Sequence, residues 1–240
     1  MGQACVSTGS LALARNVHSP AEVKMQELLL IGNKGRAGID ISFEDHDVGS
    51  KSFVDKNGHP FSLVGNLGTT GGVVNDPTMG KCFYFPGTAY FQTPMVKDLQ
   101  LAGKIAMIEA VFKWEQGGSQ GSVWETGNYP SGRPPTPGIA LSVGQYPATY
   151  IQYFCMLTNG QWIRGLPPNT TNIGVWETVK YNKAADGSGP MTVERDGALF
   201  SSFSMPAGTI GNGSALSVGG SYTWGGYWKG WLKSLKISIM

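Results

Sequence analysis

The segment Gly230-Trp231-Leu232-Lys233-Ser234-Leu235-Lys236-Ile237-Ser238-Ile239 alternates in polarity along its length. Trp231, Leu235, Ile237 and Ile239 share one parity, while Leu232, Ser234, Lys236 and Ser238 share the other. A period of two describes a strand with one buried face and one wet face. This reading places Trp231 with the inward set. A shorter strand, Leu216-Ser217-Val218, precedes it and ends in Gly219-Gly220. Between the two runs an aromatic loop, Tyr222 to Trp228.

The rest of the chain repeats that grammar. Its 240 residues include 35 glycines and 14 prolines, and glycine stands at about twice its usual share. Spread among short apolar runs, these residues predict turns joining many strands, and an all-β sandwich of this length is ordinary as one domain. Strands are expected at Ile39–Phe43, Gly80–Phe85, Ala89–Thr93, Lys104–Trp114, Gly138–Val143, Thr149–Met156 and Val175–Tyr181. In Lys104–Trp114 the residues Ala106, Ile108, Ala110, Phe112 and Trp114 form the inward face. Met191–Arg195 and Ala198–Phe203 flank Asp196-Gly197, a hairpin signal because both turn positions need positive φ.

Residues 1–36 differ and are read as an N-terminal arm ahead of a sandwich over 37–240. Ser19-Pro20-Ala21-Glu22 combines a cap, a first-turn proline and a capping-box glutamate. It predicts one helix over residues 20–31, ended by Gly32-Asn33. A buried strand over Glu27–Ile31 is the competing reading.

Several classes drop out on composition. Net charge is +2 with dispersed basic residues, so no nucleic-acid partner is expected. No apolar run approaches a membrane span, so no membrane insertion is expected. Met1 to Arg15 lacks a charged stretch followed by an apolar one, and no secretory signal is read there. Cys5, Cys82 and Cys155 are widely spaced and odd in number, which suits free thiols rather than a disulfide frame or a zinc site.

The order of short motifs resembles the concanavalin A-like, laminin-G-like jelly rolls. Ile41-Ser42-Phe43-Glu44-Asp45 is similar to that family's opening strand. Phe53 to Gly58 resembles its F-x-D-x-S-G-N turn, and Gly80 to Gly87 its G-x-A-L-x-F-x-G hairpin. Tyr90-Phe91-Gln92-Thr93-Pro94 resembles the family's strand ending in Thr-Pro, and Ile108 to Lys113 its I-E-A-W-V-K strand. Val175 to Val179 follows W-x-H-V with Thr178 in the histidine position, and Val193 to Gly197 follows V-x-x-D-G. The resemblance implies an all-β, two-sheet antiparallel jelly-roll sandwich with rim loops. Compact domains of this kind are common in bacteriophage virion and tail proteins. That implies virion localisation after synthesis in the host cytoplasm. It also implies virion partners reached through residues 1–36, where a homo-oligomer would also assemble.

Catalytic patterns are missing. Glycan hydrolases use two carboxylates beside the scissile bond, and the E-x-D-x-x-E strand of laminarinase-like sandwiches is not here. Glu109 stands alone among apolar residues, and His18, His46 and His59 are far apart in sequence. No enzyme activity, no cofactor and no catalytic residue is expected. Asp45, Asp47 and Asp55 are oxygen ligands of the type calcium takes, but their spacing fits no calcium loop, so no metal site is expected either. The plain reading of the Glu44–Asp47 cluster is a solvated turn.

Aromatic residues in loops carry the functional reading. Tyr222, Trp224 and Tyr227 sit in the glycine-rich loop before the last strand. Trp124 and Tyr129 flank a second loop, and Trp162 a third. Flat rings stack on the C–H faces of pyranoses, and Asn128, Asn159 or Asn212 would bond the hydroxyls. Trp228 and Trp231 are read as core, as tryptophan usually is. Three functions stay open at this point. The first is a non-enzymatic structural or adhesion component of a phage particle. The alternative is a module binding bacterial surface glycans, and a glycan-cleaving enzyme comes last.

Overall fold

A computed structural model of the chain describes residues 38–115, 121–127, 138–145, 149–158, 162–165, 173–185, 190–204, 210–223 and 225–240. The chain divides into two units, Met1–Lys34 and Gly35–Met240, and the described residues all lie in the second. The helix expected over 20–31 lies outside them.

The described strands are β1 (Gly38–Ser42), β2 (Ser62–Gly65), β3 (Gly72–Asp76), β4 (Gly80–Pro86), β5 (Ala89–Pro94), β6 (Ala106–Trp114), β7 (Gly121–Glu125), β8 (Gly138–Gln145), β9 (Thr149–Met156), β10 (Trp162–Gly165), β11 (Trp176–Lys183), β12 (Pro190–Arg195), β13 (Ala198–Ser204), β14 (Ala215–Val218) and β15 (Lys229–Ile239). They form two antiparallel sheets. One has eight strands in the order β13-β12-β11-β6-β15-β4-β3, with β1 also on β15, and the other has seven in the order β10-β9-β8-β7-β14-β5-β2. This is the all-β sandwich that the alternation and the turns predicted, in the jelly-roll form that the motif resemblance implied.

The strand β15 organises the larger sheet. One edge pairs with β6 along its whole length. The other edge is shared: Lys229–Leu232 pair with β4, and Ser234–Ser238 pair with β1. The pairing with β6 slips between Leu232 and Ser234, which leaves Lys233 as a bulge where one neighbour gives way to the other. A bulge adds one residue and reverses side-chain parity beyond it. Leu235, Ile237 and Ile239 are buried as expected, but on the near side the inward residue is Leu232. Trp231 therefore faces outward, contrary to its parity in sequence. Lys233 turns its ammonium to the Glu44 carboxylate and the Lys81 carbonyl.

The core is aromatic. Phe53 packs on Phe43, Phe61, Phe83 and Phe91 with ring centroids 4.6 to 5.6 Å apart. Trp228 lies against Phe85 and Phe112 and is fully buried. Each such side chain contributes roughly 2–3 kcal/mol by leaving water. On β6 the inward set is the expected one, from Ala106 to Trp114. The Asp196-Gly197 turn has φ of 50° and 80°, and Asp196 is latched to Thr178 by two hydrogen bonds of 2.8 and 2.9 Å. On β11 two charges face inward: Glu177 meets Arg195, and the Lys183 ammonium donates to the carbonyls of Lys104 and Ala184.

The solvent face of this sheet carries an ordered row of charges. Glu194, Lys180, Glu109, Lys236 and Asp40 are successive register partners across β12, β11, β6, β15 and β1. Opposite charges alternate at every step, which is favourable across antiparallel strands. Glu109 is thus a wet-face residue. Asp76, nearly buried at the end of β3, receives the Lys113 ammonium at 2.5 Å. Burial pushes its carboxyl up. The Lys113 hydrogen bond and the amides of Thr78 and Met79 outweigh this and hold it at about 2.

This architecture makes three predictions. Deleting Lys233 removes the extra residue and leaves Leu232, Ser234 and Leu235 in plain alternation against β6, so the variant should still unfold cooperatively, losing only the Lys233 contacts to Glu44 and Lys81. Gly219 has φ of +85° and its Cβ would stand 2.1 Å from the Phe85 ring. Gly219→Ala should therefore cost at least ~3 kcal/mol in chemical denaturation. The depressed Asp76 carboxyl makes an acid limb. Its contribution is whole above the unfolded carboxylate value of about 3.9 and fades as pH falls through about 2. Thermal melts between those limits and neutrality should show Asp76→Asn losing about 2 kcal/mol at neutral pH, with a flatter acid limb.

Candidate functional site

The expected aromatic loop is built on a buried carboxylate. On β7 and β14 the residues Trp124, Leu216 and Val218 point into the core. Their alternates Ser122, Glu125 and Ser217 point away from the other sheet. Glu125 is nonetheless fully buried, because the loop after β14 folds over it. Ser122 donates to its Oε2 at 2.8 Å, Ser221 to its Oε1 at 2.8 Å, and the Thr223 amide to the same oxygen at 3.1 Å. Ser122 also shares a hydrogen bond of 3.0 Å with Ser142. A buried charge is tolerable only when so surrounded.

The loop closes on itself as well. The Ser221 amide donates to the Gly226 carbonyl at 2.7 Å, and the Gly225 amide to the Ser221 carbonyl at 2.8 Å. Gly220 and Tyr227 form a bridge at its neck. Ser217 donates to the Gly220 carbonyl at 2.7 Å. These bonds hold the base of the loop, at Ser221, Thr223, Gly225 and Gly226, by backbone and carboxylate alike.

The structure sorts the expected contact residues. Tyr222 is partly exposed. Its hydroxyl donates to the Thr126 carbonyl at 2.9 Å and accepts the Ser214 amide at 3.3 Å. Burial of the hydroxyl raises its pKa, so it stays a neutral donor. Tyr227 is partly exposed and its ring lies 6.0 Å from that of Tyr90. Burial, then the nearness of Tyr227 and Glu125, raises the Tyr90 phenol. Trp124 is corrected: its ring is in the core, 5.3 Å from Tyr181, and offers no surface to a ligand. Trp224 and Tyr129 lie outside the described residues, as do Asn128 and Asn159. Asn212 is spoken for, since its side-chain oxygen accepts the Ala102 amide at 2.9 Å.

Other candidates resolve into local structure. Asp55 is buried, and its oxygens accept the amides of Asp40 and His59 and face the His59 ring at 3.1 Å. Asp45 and Asp47 are exposed in a turn. Among the described residues no three His, Cys, Asp or Glu side chains are arranged to hold a metal ion. Glu125 itself was invisible in the sequence. Its partners Ser221 and Thr223 are 96 and 98 residues away, and only Ser122-x-x-Glu125 is local.

No protein-family model matches the chain, and no curated protein sequence matches it. Solved structures do. Domain 4 of AbnA, an extracellular arabinanase of family GH43 from Geobacillus stearothermophilus, was solved with arabinotriose. It aligns at 19% identity over 86% of this chain and 93% of its own, with a TM-score of 0.58. The binding domain of botulinum neurotoxin serotype G aligns at 11% identity over 83% of this chain and 46% of its own, with a TM-score of 0.58. A botulinum neurotoxin type C chain, whose toxin enters cells through interaction with two ganglioside molecules, aligns at 10% identity over 84% and 47%, with a TM-score of 0.55. The chain spans about half of these neurotoxin chains. These neighbours are carbohydrate- or receptor-binding sandwiches, and the likeness is one of fold.

The clamp gives a direct prediction. Glu125→Gln keeps the shape but exchanges one acceptor oxygen for a donor facing hydroxyls and an amide. It should cost about 1–3 kcal/mol. Hydrogen exchange at the Thr223 and Gly225 amides should accelerate more than exchange in β6.

Proposed function

We propose that this chain is a non-enzymatic glycan-binding module whose contact surface is the loop over residues 221–227. The observation that carries this is the Glu125 clamp. It fixes a short aromatic loop before any ligand arrives, so binding costs little further ordering. Tyr227 beside Tyr90 offers aromatic surface, and the hydroxyls of Thr223 and Tyr222 lie on the same loop. Carbohydrate ligands of the neighbouring sandwiches support the ligand class. Hydrolysis gains nothing from this geometry. Glu125 is a single carboxylate, saturated by hydrogen bonds and closed to a substrate, while hydrolysis needs a pair.

A phage-particle role rests on the motif resemblance alone, and residues 1–36, the segment assigned to attachment, lie outside the described residues. Recognition of a bacterial surface polysaccharide remains compatible with such a role and does not require it.

The test is a panel of bacterial and plant glycans probed with the full chain and with a Trp224→Ala/Tyr227→Ala variant. We expect the variant to lose roughly tenfold or more in affinity with its melting temperature nearly unchanged. Undiminished binding by the variant would remove this loop from consideration. New reducing ends released from any bound polymer would overturn the non-enzymatic reading.

A further inference from the structure

The outward turn of Trp231 places it in a second ordered row on the eight-stranded sheet. Trp176, Lys113, Trp231 and Tyr84 are successive register partners across β11, β6, β15 and β4. All four are partly exposed on the face turned from the core. The Lys113 ammonium sits over both indoles, 4.9 Å from the Trp176 ring and 4.4 Å from the Trp231 ring. The Tyr84 ring follows at 4.8 Å from that of Trp231. We propose that this row is a second binding site, which takes a neutral polysaccharide lying across the strands.

Three features select that occupant. The first is length. Strands stand about 4.8 Å apart, so the row spans roughly 14 Å, close to the reach of a trisaccharide in an extended chain. The second is charge. Lys113 is paired with Asp76 at 2.5 Å, and Lys229 with Glu115 at 3.0 Å. The Tyr84 hydroxyl donates to Glu115 at 2.8 Å. With every described charge beside the rings answered locally, the strip has no net sign to attract an ionic ligand. The same groups keep spare lone pairs and N–H bonds for sugar hydroxyls. The third is width. Three partly exposed rings offer on the order of 200 Å², against about 800 Å² per partner in a stable protein interface. The alternating charges of Glu194, Lys180, Glu109, Lys236 and Asp40 mark off the other end of the sheet as ordinary wet surface.

Holding Lys113 between two indoles also fixes the rings. Cation–π contact and the Asp76 bond act on one side chain, so the row is preformed rather than recruited. This site shares with the loop only the class of ligand and lies on the opposite sheet, so either can fail without the other.

Affinity electrophoresis of the full chain tests it, in gels containing a neutral arabinan, galactan, mannan or β-glucan, with polygalacturonate as the anionic control. At least one neutral polymer should retard the protein, and salt should not weaken the retardation. Trp231→Ala should weaken it about tenfold, and Trp231→Tyr should retain most of it. If Trp231→Ala does not give a native circular dichroism spectrum, Trp176→Ala and Lys113→Met carry the test. The proposal is overturned if no neutral polymer retards the chain, or if folded row variants are retarded like the parent. Retardation by polygalacturonate alone, or a dimer in sedimentation that Trp231→Ala dissolves, would overturn it too.

Discussion

The larger sheet depends on how β15 is shared. One strand must satisfy β6 along one edge and two different strands along the other. Where one of those neighbours gives way to the other, β15 carries Lys233 as one extra residue against β6. Because strand parity is binary, the bulge decides which side chains enter the core on each half. Leu232 enters and Trp231 leaves. Without that exchange an indole would compete with Phe112 and Trp228 for interior space, and the outer row would lack its middle ring.

The two faces of the sandwich use aromatic residues differently. Over the seven-stranded sheet a carboxylate is buried to hold a loop in place, and it accepts the hydroxyls of Ser122 and Ser221. That choice makes the loop's position a matter of hydrogen-bond geometry, which ionic strength hardly touches. On the eight-stranded sheet a cation is wedged between indoles and answered by Asp76. Here the rings are the surface and the charge is the filler. The same residue types therefore serve as clamp in one place and as platform in the other.

Regular elements were legible in the sequence. The inward face of β6 follows from alternation, and the β12–β13 turn follows from Asp196-Gly197. Four short strands were not: β2, β3, β7 and β10 have four or five residues each, and unlike the equally short β1 and β14 they were not picked out by apolar alternation. Trp124 and Trp231 exchanged their expected places for two reasons. Trp124 stands at the end of a strand too short to recognise, beside a bulge of its own at Val123. Trp231 lies before a bulge that parity counting cannot detect, because polar Lys233 and Ser234 fit either phase. Glu125 escaped notice because its meaning lies in residues nearly a hundred positions away. Sequence periodicity reports on faces, and a site assembled from loops reports on the fold once it is complete.

The shared edge of β15 also has a temporal side. Its partner β1 lies nearly two hundred residues earlier, with Gly38 opposite Ser238. During synthesis β1, β4 and β6 must wait, with open edges and half an aromatic core, for the last strand of the domain to emerge. Contacts so distant in sequence make for slow closure, and waiting edges are where chains stick to one another. The domain's yield in a cell is thus governed by what shields those edges during the wait as much as by the stability of the finished sandwich.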